Sequence, residues 1–408
     1  MNEAAEAIVT MKITDFTSVL PKPDNVYAFN PSIAHYRDGL YLCVFRGFVR
    51  YKQIHQKGAN HDYTGNPFTD PNHPWLGGLD ATQLWWKHTF GDDSTRFAML
   101  RIKDGKTELA KDYSGGGLKS ASGTALPNTM EGNDARLLQL SGDLFLMSYN
   151  VWVTDDGIII KNGRTCGDWC GLIGTRTVTV GDGGHTLTLG DEKILCPGMS
   201  NQVEKNWSFW MKGKAIYFSY GLFPGHDIVR VYLKDGVVDC GEKVVNSVST
   251  FFKTFRDYYN DGVAISVTTP AIRIRGGFLG VGHIKFAHKD LDDKFPRGSP
   301  LYEFAHRMWD SKKTFHPQFV YMMFLYMFDA DNGNLKSISP MFLPPSKTAL
   351  CFPSGLSLTS NMASIIVSYG NGDTSCDFFI LTGEALLKSL VPVKDLNPES
   401  VLFGMVGN

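Results

Sequence analysis

Six consecutive residues, Glu131-Gly132-Asn133-Asp134-Ala135-Arg136, set two acids, an amide and an arginine at the mouth of an expected hairpin. Its strands read Leu137-Leu138-Gln139-Leu140 and Leu144-Phe145-Leu146-Met147-Ser148-Tyr149, joined by Ser-Gly-Asp. A charge placed against buried apolar strands is costly unless hydrogen bonds or chemistry employ it. Asp134 is therefore the candidate reactive group. A second carboxylate, Asp373, and the cationic side chains Arg46, Arg176, Lys205 and His283 are its candidate companions. Paired carboxylates suit glycoside chemistry, in which an acid protonates the departing oxygen. The cationic set suits an oxyanion such as phosphate, held by charge-assisted hydrogen bonds. One acid beside such an anion site describes phosphorolysis: phosphate attacks the anomeric carbon while the acid serves the leaving sugar oxygen. A propeller glycosidase using water and a non-catalytic carbohydrate-binding propeller are the alternatives. The cationic set separates the first reading from hydrolysis, which has no need of it.

These residues are far apart in the chain, so the fold must bring them together. Five hairpins recur, around Arg37-Asp38-Gly39, the Ser-Gly-Asp turn, Lys212-Gly213-Lys214, Gly276-Gly277 and Ser360-Asn361. Each pairs a polar or proline-containing lead and short strand with an apolar second strand. Three second strands end alike, at Ser148-Tyr149, Ser219-Tyr220 and Ser368-Tyr369. With no helical periodicity between them, the repeats predict an all-β fold, a five-bladed β-propeller formed by residues 1–408 as one domain. A short C-terminal helix at 383–390 closes it. Residues 51–93, rich in His, Asn, Pro, Gly and Trp, are expected to form a long ordered insertion. The innermost strands of a propeller run along its axis, so Asn30, Asp134, Lys205, Thr269 and Ser354 are expected at one mouth. Arg46, Tyr149, Tyr220, His283 and Asp373 are expected beside them.

Composition narrows the partners. Hydrophobic residues make up 43% of the chain, ample for a large core, and the net charge of −1 offers no basic field for nucleic acid or anionic membrane. The seven cysteines are scattered, with only Cys166-x-x-x-Cys170 near ligand spacing, and read as ordinary core residues of a reducing compartment. The eleven histidines never fall at ligand spacing, so neither a metal nor another cofactor is expected. Asp329-Ala330-Asp331 reads as a turn before Asn332-Gly333. The first residues lack a basic start and an apolar run, and no stretch approaches about 18 apolar residues. A cytoplasmic location follows as the expectation. Nothing in the chain sets its oligomeric state.

Five blocks together carry a resemblance. They are Asn30-Pro31 with Arg46, Glu131-x-x-Asp134-Ala135-Arg136, Glu204-Lys205-Asn206-Trp207, Thr269-Pro270 with Gly280-x-x-His283, and Ser368-Tyr369-Gly370-x-x-Asp373. In this order the chain resembles the β-mannoside phosphorylases of glycoside hydrolase family 130. It is similar also to their relatives, the β-1,2-mannosyltransferase/phosphorylases of glycosyltransferase family 108. The resemblance implies reversible transfer of β-1,2-linked mannose between a mannose-containing oligosaccharide and phosphate, with mannose 1-phosphate or GDP-mannose as donor in synthesis. Asp134 would be the proton donor, acting through the sugar's own 3-hydroxyl. Asn30, Arg46, Asp373 and Tyr149 would hold the mannose; Lys205, His283, Arg176 and Tyr220 would bind phosphate. This chain reads Gly-Asn-Asp-Ala-Arg where those enzymes carry Glu-Asp-Pro-Arg, so the acid's immediate neighbours differ.

Overall fold

Asp38 and Gly39 have φ values of 47° and 75°, the left-handed pair that a two-residue hairpin turn requires. They join Val26–Arg37 to Leu40–Val49, paired antiparallel from Val26↔Val49 to Arg37↔Leu40. The other four expected hairpins also form: Asn133–Ser141 with Leu144–Thr154, Ser208–Lys212 with Ala215–Gly221, Ile272–Ile274 with Gly277–Ala287, and Cys351–Leu358 with Ser364–Asn371. The structure is a computed structural model. It describes residues 14–17, 20, 26–49, 93–103, 106–113, 115–126, 133–154, 169–195, 206–235, 237–248, 250–287, 290–310, 319–344, 351–371, 375–401 and 403–405. The expected insertion, up to residue 92, lies outside the described residues.

The fold is all-β with few helices, in a β-propeller arrangement. Four sheets keep the up-and-down order of a blade. The first runs Val26–Arg37, Leu40–Val49, Asp93–Lys103, Lys106–Asp112. The second contains Asn133–Ser141, Leu144–Thr154, Trp169–Gly181 and Thr186–Leu189, and the third Ser208–Lys212, Ala215–Gly221, Gly225–Lys234 and Val237–Val248. The last blade, Cys351–Leu358, Ser364–Asn371 and Ser375–Thr382, takes its outer strand from Thr14–Thr17, so a strand from early in the chain completes it. The expected count of five blades is corrected to four. The remaining hairpin lies in an eight-stranded sheet whose inner edge is broken into Val263–Val267 and Ile272–Ile274, both paired with Gly277–Ala287. Pro270, which cannot donate to a ladder, stands in that break. Phe403–Met405 and Val391–Pro392 widen the same sheet from the C-terminal segment.

The eight-stranded sheet also carries the largest described core. Phe319–Phe328 reads FVYMMFLYMF and is nearly all buried, because both of its faces are covered and no polar alternation is needed. Phe251, Phe252 and Phe255 of helix Thr250–Tyr258 and Leu301 and Phe304 of helix Pro300–Asp310 join it in one apolar cluster. The expectation of a single C-terminal helix is corrected by these two and by Leu291–Lys294. The C-terminal helix itself forms as Gly383–Ser389, with the Thr382 hydroxyl accepting from the Ala385 amide. Among the described residues, no helix is long and apolar enough to cross a membrane. Asp329-Ala330-Asp331 is a turn, with the Asp329 carboxylate accepting from the Asp331 amide at 2.8 Å.

A buried polar chain ties the third blade to this turn. Trp210 Nε1 donates to Ser219 Oγ at 3.2 Å, and His226 bonds Ser219 Oγ through Nε2 and the Gly333 carbonyl through Nδ1, each at 2.7 Å. A carbonyl only accepts, so Nδ1 carries the proton and Nε2 accepts from the serine. Burial pushes this imidazole down to about 4. The folded value lies below the unfolded one, so the unfolded chain binds the extra proton between those two values. Stability therefore rises with pH across that window and is lost as pH falls through it; His226 contributes on the order of 3 kcal/mol. The urea midpoint should drop steeply from about pH 6.5 to about pH 4.5. His226→Gln should lower the midpoint at neutral pH and reduce that slope, to which buried His283 also contributes; an undiminished slope would place the linkage elsewhere.

Candidate active site

Three of the leads share an unusual backbone. Asn30, Asp134 and Asn206 have φ values of 48°, 52° and 61°. Asparagine and aspartate enter this left-handed region at lower cost than other residues with a side chain. Register shifts fall at the same place in two hairpins, between Phe29 and Ser32 and between Asn133 and Arg136. A left-handed residue at a bulge leaves the ladder and re-aims its side chain. Each lead thus turns out of its inner strand instead of pairing within it.

The result at Asp134 is a carboxylate gripped from three strands. Asn30 Nδ2 donates to Oδ1 at 2.7 Å, Arg46 Nη1 to Oδ1 at 3.3 Å, and Asn150 Nδ2 to Oδ2 at 3.2 Å. Arg46 and Asp134 side chains are each only 16% exposed, so this pair is less screened than a surface ion pair. Asn30, Arg46 and Asp134 were expected together, and the first two blades bring them together. Asn150 was not foreseen. It follows the Ser-Tyr strand end, where the third and last blades carry Gly221 and Gly370. Gly370 packs on Asn30, and a Cβ there would lie 1.8 Å from Asn30 Oδ1, so only glycine fits. The amide oxygens of Asn30 and Asn150 are buried with no hydrogen-bond partner among the described residues.

Arg136 lies behind Asp134 and is 2% exposed. Its Nη1 donates to the Asp134 carbonyl at 2.7 Å, its Nη2 to Asn206 Oδ1 at 2.8 Å, and its Nε to the Thr268 carbonyl. The guanidinium also lies 5.7 Å from the Phe352 ring centre. Second blade, third blade, eight-stranded sheet and last blade therefore meet on one side chain. Burial lowers its pKa to about 10, against the pull of the Asp134 charge, and it stays a cation at neutral pH. His283 is buried between the rings of Tyr321 and Phe352, 5.1 and 5.3 Å away. Burial, helped by Lys285 and Arg136, pushes it down to about 3, so it is neutral. Its Nδ1 has no hydrogen-bond partner among the described residues.

Other expected site residues stand elsewhere or beyond view. Tyr149 points to the opposite side of its strand from Asn150. Its hydroxyl donates to Glu192 Oε1 at 2.5 Å and accepts from Arg176 Nε at 3.1 Å. Arg176 also donates to the Gly190 carbonyl at 3.0 Å and lies 3.7 Å from Glu192. These three residues form their own cluster. Tyr220 packs on Trp207 with ring centres 5.7 Å apart. Thr269 and Ser354 lace inner strands: Ser208 Oγ donates to the Thr269 carbonyl and Ser354 Oγ to the Pro31 carbonyl, at 2.5 and 2.6 Å. Lys205, Asp373 and Glu131 lie outside the described residues. Among the described residues, no group of three or more His, Cys, Asp or Glu is placed to hold a metal ion. A cleft of about 750 Å³ lined by Thr250, Tyr258, Asn334 and Glu399 includes none of the residues around Asp134. Hydrogen-bond geometry about the acid, not cleft size, places the candidate site.

No protein-family model and no curated protein matches the chain. Solved structures do. The chain is similar to a β-1,2-mannobiose phosphorylase from Listeria innocua, at 14% identity over 93% of this chain and 99% of that one, with a TM-score of 0.48. It is similar to a GDP-Man-dependent mannosyltransferase from Leishmania mexicana, at 10% identity over 90% and 88%, with a TM-score of 0.48. A glycosyl hydrolase from Bacteroides ovatus matches at 13% identity over 91% and 89%, with a TM-score of 0.45.

Replacing Arg136 by Ala strands two buried carbonyls and the Asn206 amide oxygen. The expected loss is about 3 kcal/mol of unfolding free energy, read from urea denaturation. Arg136→Lys, which keeps the charge but not the three-way fork, should recover less than half of it. A loss within about 0.5 kcal/mol for Arg136→Ala, the usual range for surface changes, would mean that the joint is not structural.

Proposed function

We propose that the chain is a carbohydrate-active enzyme that transfers a β-linked mannosyl unit between a sugar oxygen and phosphate, with Asp134 as the acid. The observation that carries this reading is the Asp134 carboxylate, held by Asn30, Arg46 and Asn150 where the leads of two blades converge. Mannose and the β-1,2 linkage come from the resemblance of the sequence blocks.

In the degradative direction the bond between the anomeric carbon and the bridging oxygen breaks, and a bond from that carbon to a phosphate oxygen forms. The departing oxygen gains one proton, supplied by Asp134 directly or through the sugar 3-hydroxyl. Synthesis from mannose 1-phosphate is the reverse, and GDP-mannose is the same chemistry with a larger leaving group. Asp134 accepts on both oxygens in the free protein, so donors around it must rearrange as sugar enters and the acid takes up its proton. The buried amide oxygens of Asn30 and Asn150 are acceptors suited to sugar hydroxyls. Arg136 supplies a fixed positive charge, and neutral His283, whose Nδ1 has no partner among the described residues, can present an N–H to an anion in the tautomer protonated there. Lys205 is proposed to complete that anion site, and Asp373 to hold the mannose. Tyr149 and Arg176, tied to Glu192, bear on the site by shaping the second blade.

Incubation with β-1,2-mannobiose, with and without phosphate, tests the reading. Mannose 1-phosphate should appear only with phosphate. Free mannose released without phosphate would assign hydrolysis instead, and no turnover with any donor would leave a binding protein. Asp134→Asn should reduce turnover by roughly 10²- to 10⁴-fold with a near-normal urea midpoint. His283→Ala should raise the phosphate KM more than the sugar KM.

A further inference from the structure

The hairpin turns lie at the opposite ends of the inner strands from the leads. Ser354, at the lead end, bonds the Pro31 carbonyl, whereas the turn of the same hairpin falls at 359–363. Six strand residues span roughly 20 Å, so the turns form a face well removed from Asp134. On that face a groove of about 590 Å³ runs between the 274–276 turn of the eight-stranded sheet and the helix Gly383–Ser389. Ile274 and Leu386 floor it. Met362 and Leu387, 77% and 59% exposed, rise from its edges. They are the two most exposed large hydrophobic residues described.

Met362 is held there against its backbone preference. Its φ is 56°, a left-handed conformation that glycine or asparagine would adopt more cheaply. The turn is fixed by the Met362 amide donating to the Thr359 carbonyl at 2.8 Å and by the Asn361 side chain accepting from the Ala363 amide at 3.1 Å. Two cations, Arg273 and Arg275, line the same groove and are exposed, with no ion pair among the described residues. The nearest charged pair on the helix, Glu384 and Lys388, cancels internally at 2.7 Å. The groove therefore joins adaptable apolar contact area to two uncompensated positive charges.

We propose that this groove docks a segment of another protein in which aliphatic side chains alternate with carboxylates. The aliphatic groups would cover Met362 and Leu387, and the carboxylates would pair with Arg273 and Arg275. A second copy of this chain suits the groove less well, because a two-fold contact would gather the arginines of both copies in one interface while Glu384 on the lining helix is already paired with Lys388. Methionine at the rim adapts to more than one partner side chain. A single groove of about 590 Å³ suits a short segment and a transient contact, on a face away from Asp134.

Fluorescence polarisation with a dye-labelled twelve-residue peptide of alternating leucine and glutamate tests this on the full chain. Micromolar binding is expected, at least tenfold weaker for the leucine–lysine counterpart and weakened by salt. Met362→Gly, which relieves the left-handed strain and so keeps the fold, should weaken binding at least fivefold. Arg273→Glu with Arg275→Glu should abolish it. Equal binding of the acidic and basic peptides, or undiminished binding by the Met362→Gly protein, would overturn the proposal. So would a dimer in sedimentation velocity that Met362→Gly dissociates, since the occupant would then be a second copy.

Discussion

A buried guanidinium without a close carboxylate is an expensive object, and the inner ring of this propeller is arranged about one. Arg136 satisfies its hydrogens on the carbonyls of Asp134 and Thr268 and on the Asn206 amide oxygen. All three acceptors are uncharged, so the positive charge is solvated by the protein but not neutralised at contact distance. Asp134 lies in the inner strand of the second blade, Asn206 just before that of the third, and Thr268 in the break of the eight-stranded sheet's inner edge. The position of the acid, the left-handed turn at Asn206 and the broken inner edge of the eight-stranded sheet therefore depend on one side chain.

That arrangement has electrostatic consequences nearby. Arg136 and Lys285 act with burial to keep His283 neutral, so the ring presents lone pair and N–H without adding charge. Asp134 faces the other way, toward Asn30, Arg46 and Asn150, and its carboxylate is stabilised by groups from two blades. The acid and the buried cation share a backbone segment but use different sides of it. A carboxylate held by Asn30, Arg46 and Asn150 and a buried guanidinium held by neutral acceptors can then coexist only two residues apart.

Hydroxyls do the same lacing without charge. The Pro31 carbonyl accepts from both Ser354 and Ser368, at 2.6 and 2.5 Å, and the Leu137 amide donates to Ser32 Oγ at 3.0 Å. A small hydroxyl two residues after a left-handed lead, as at Ser32 and Ser208, reaches the neighbouring inner strand. Arg136 occupies that position in the second blade, where the reach is longer and extends to Thr268 of the eight-stranded sheet. One repeat thus carries structural joints in some copies and a charged one in another.

The sequence alone determined the hairpins and the partners of the acid nearest in repeat position. Asp-Gly, other Gly-containing turns and Ser-Asn between apolar runs are local signals, and local backbone energetics decide them; all five hairpins and the turn at Asp329 were legible for that reason. Asn30, Arg46 and Asp134 were legible together because they occupy the same places in consecutive repeats. What only the tertiary structure decided depends on which face of a strand looks inward. Tyr149 and Asn150 are neighbours, yet the pleat sends the tyrosine to Glu192 and Arg176 and the asparagine to Asp134. The helices at 250–258 and 300–310 are not legible in the sequence, because their aromatic residues fit a strand as well as a helix until a sheet is present to cover. The break beside Pro270 and the strands added from the C-terminal segment turned one expected blade into a larger sheet, since long-range pairing leaves no mark on local sequence.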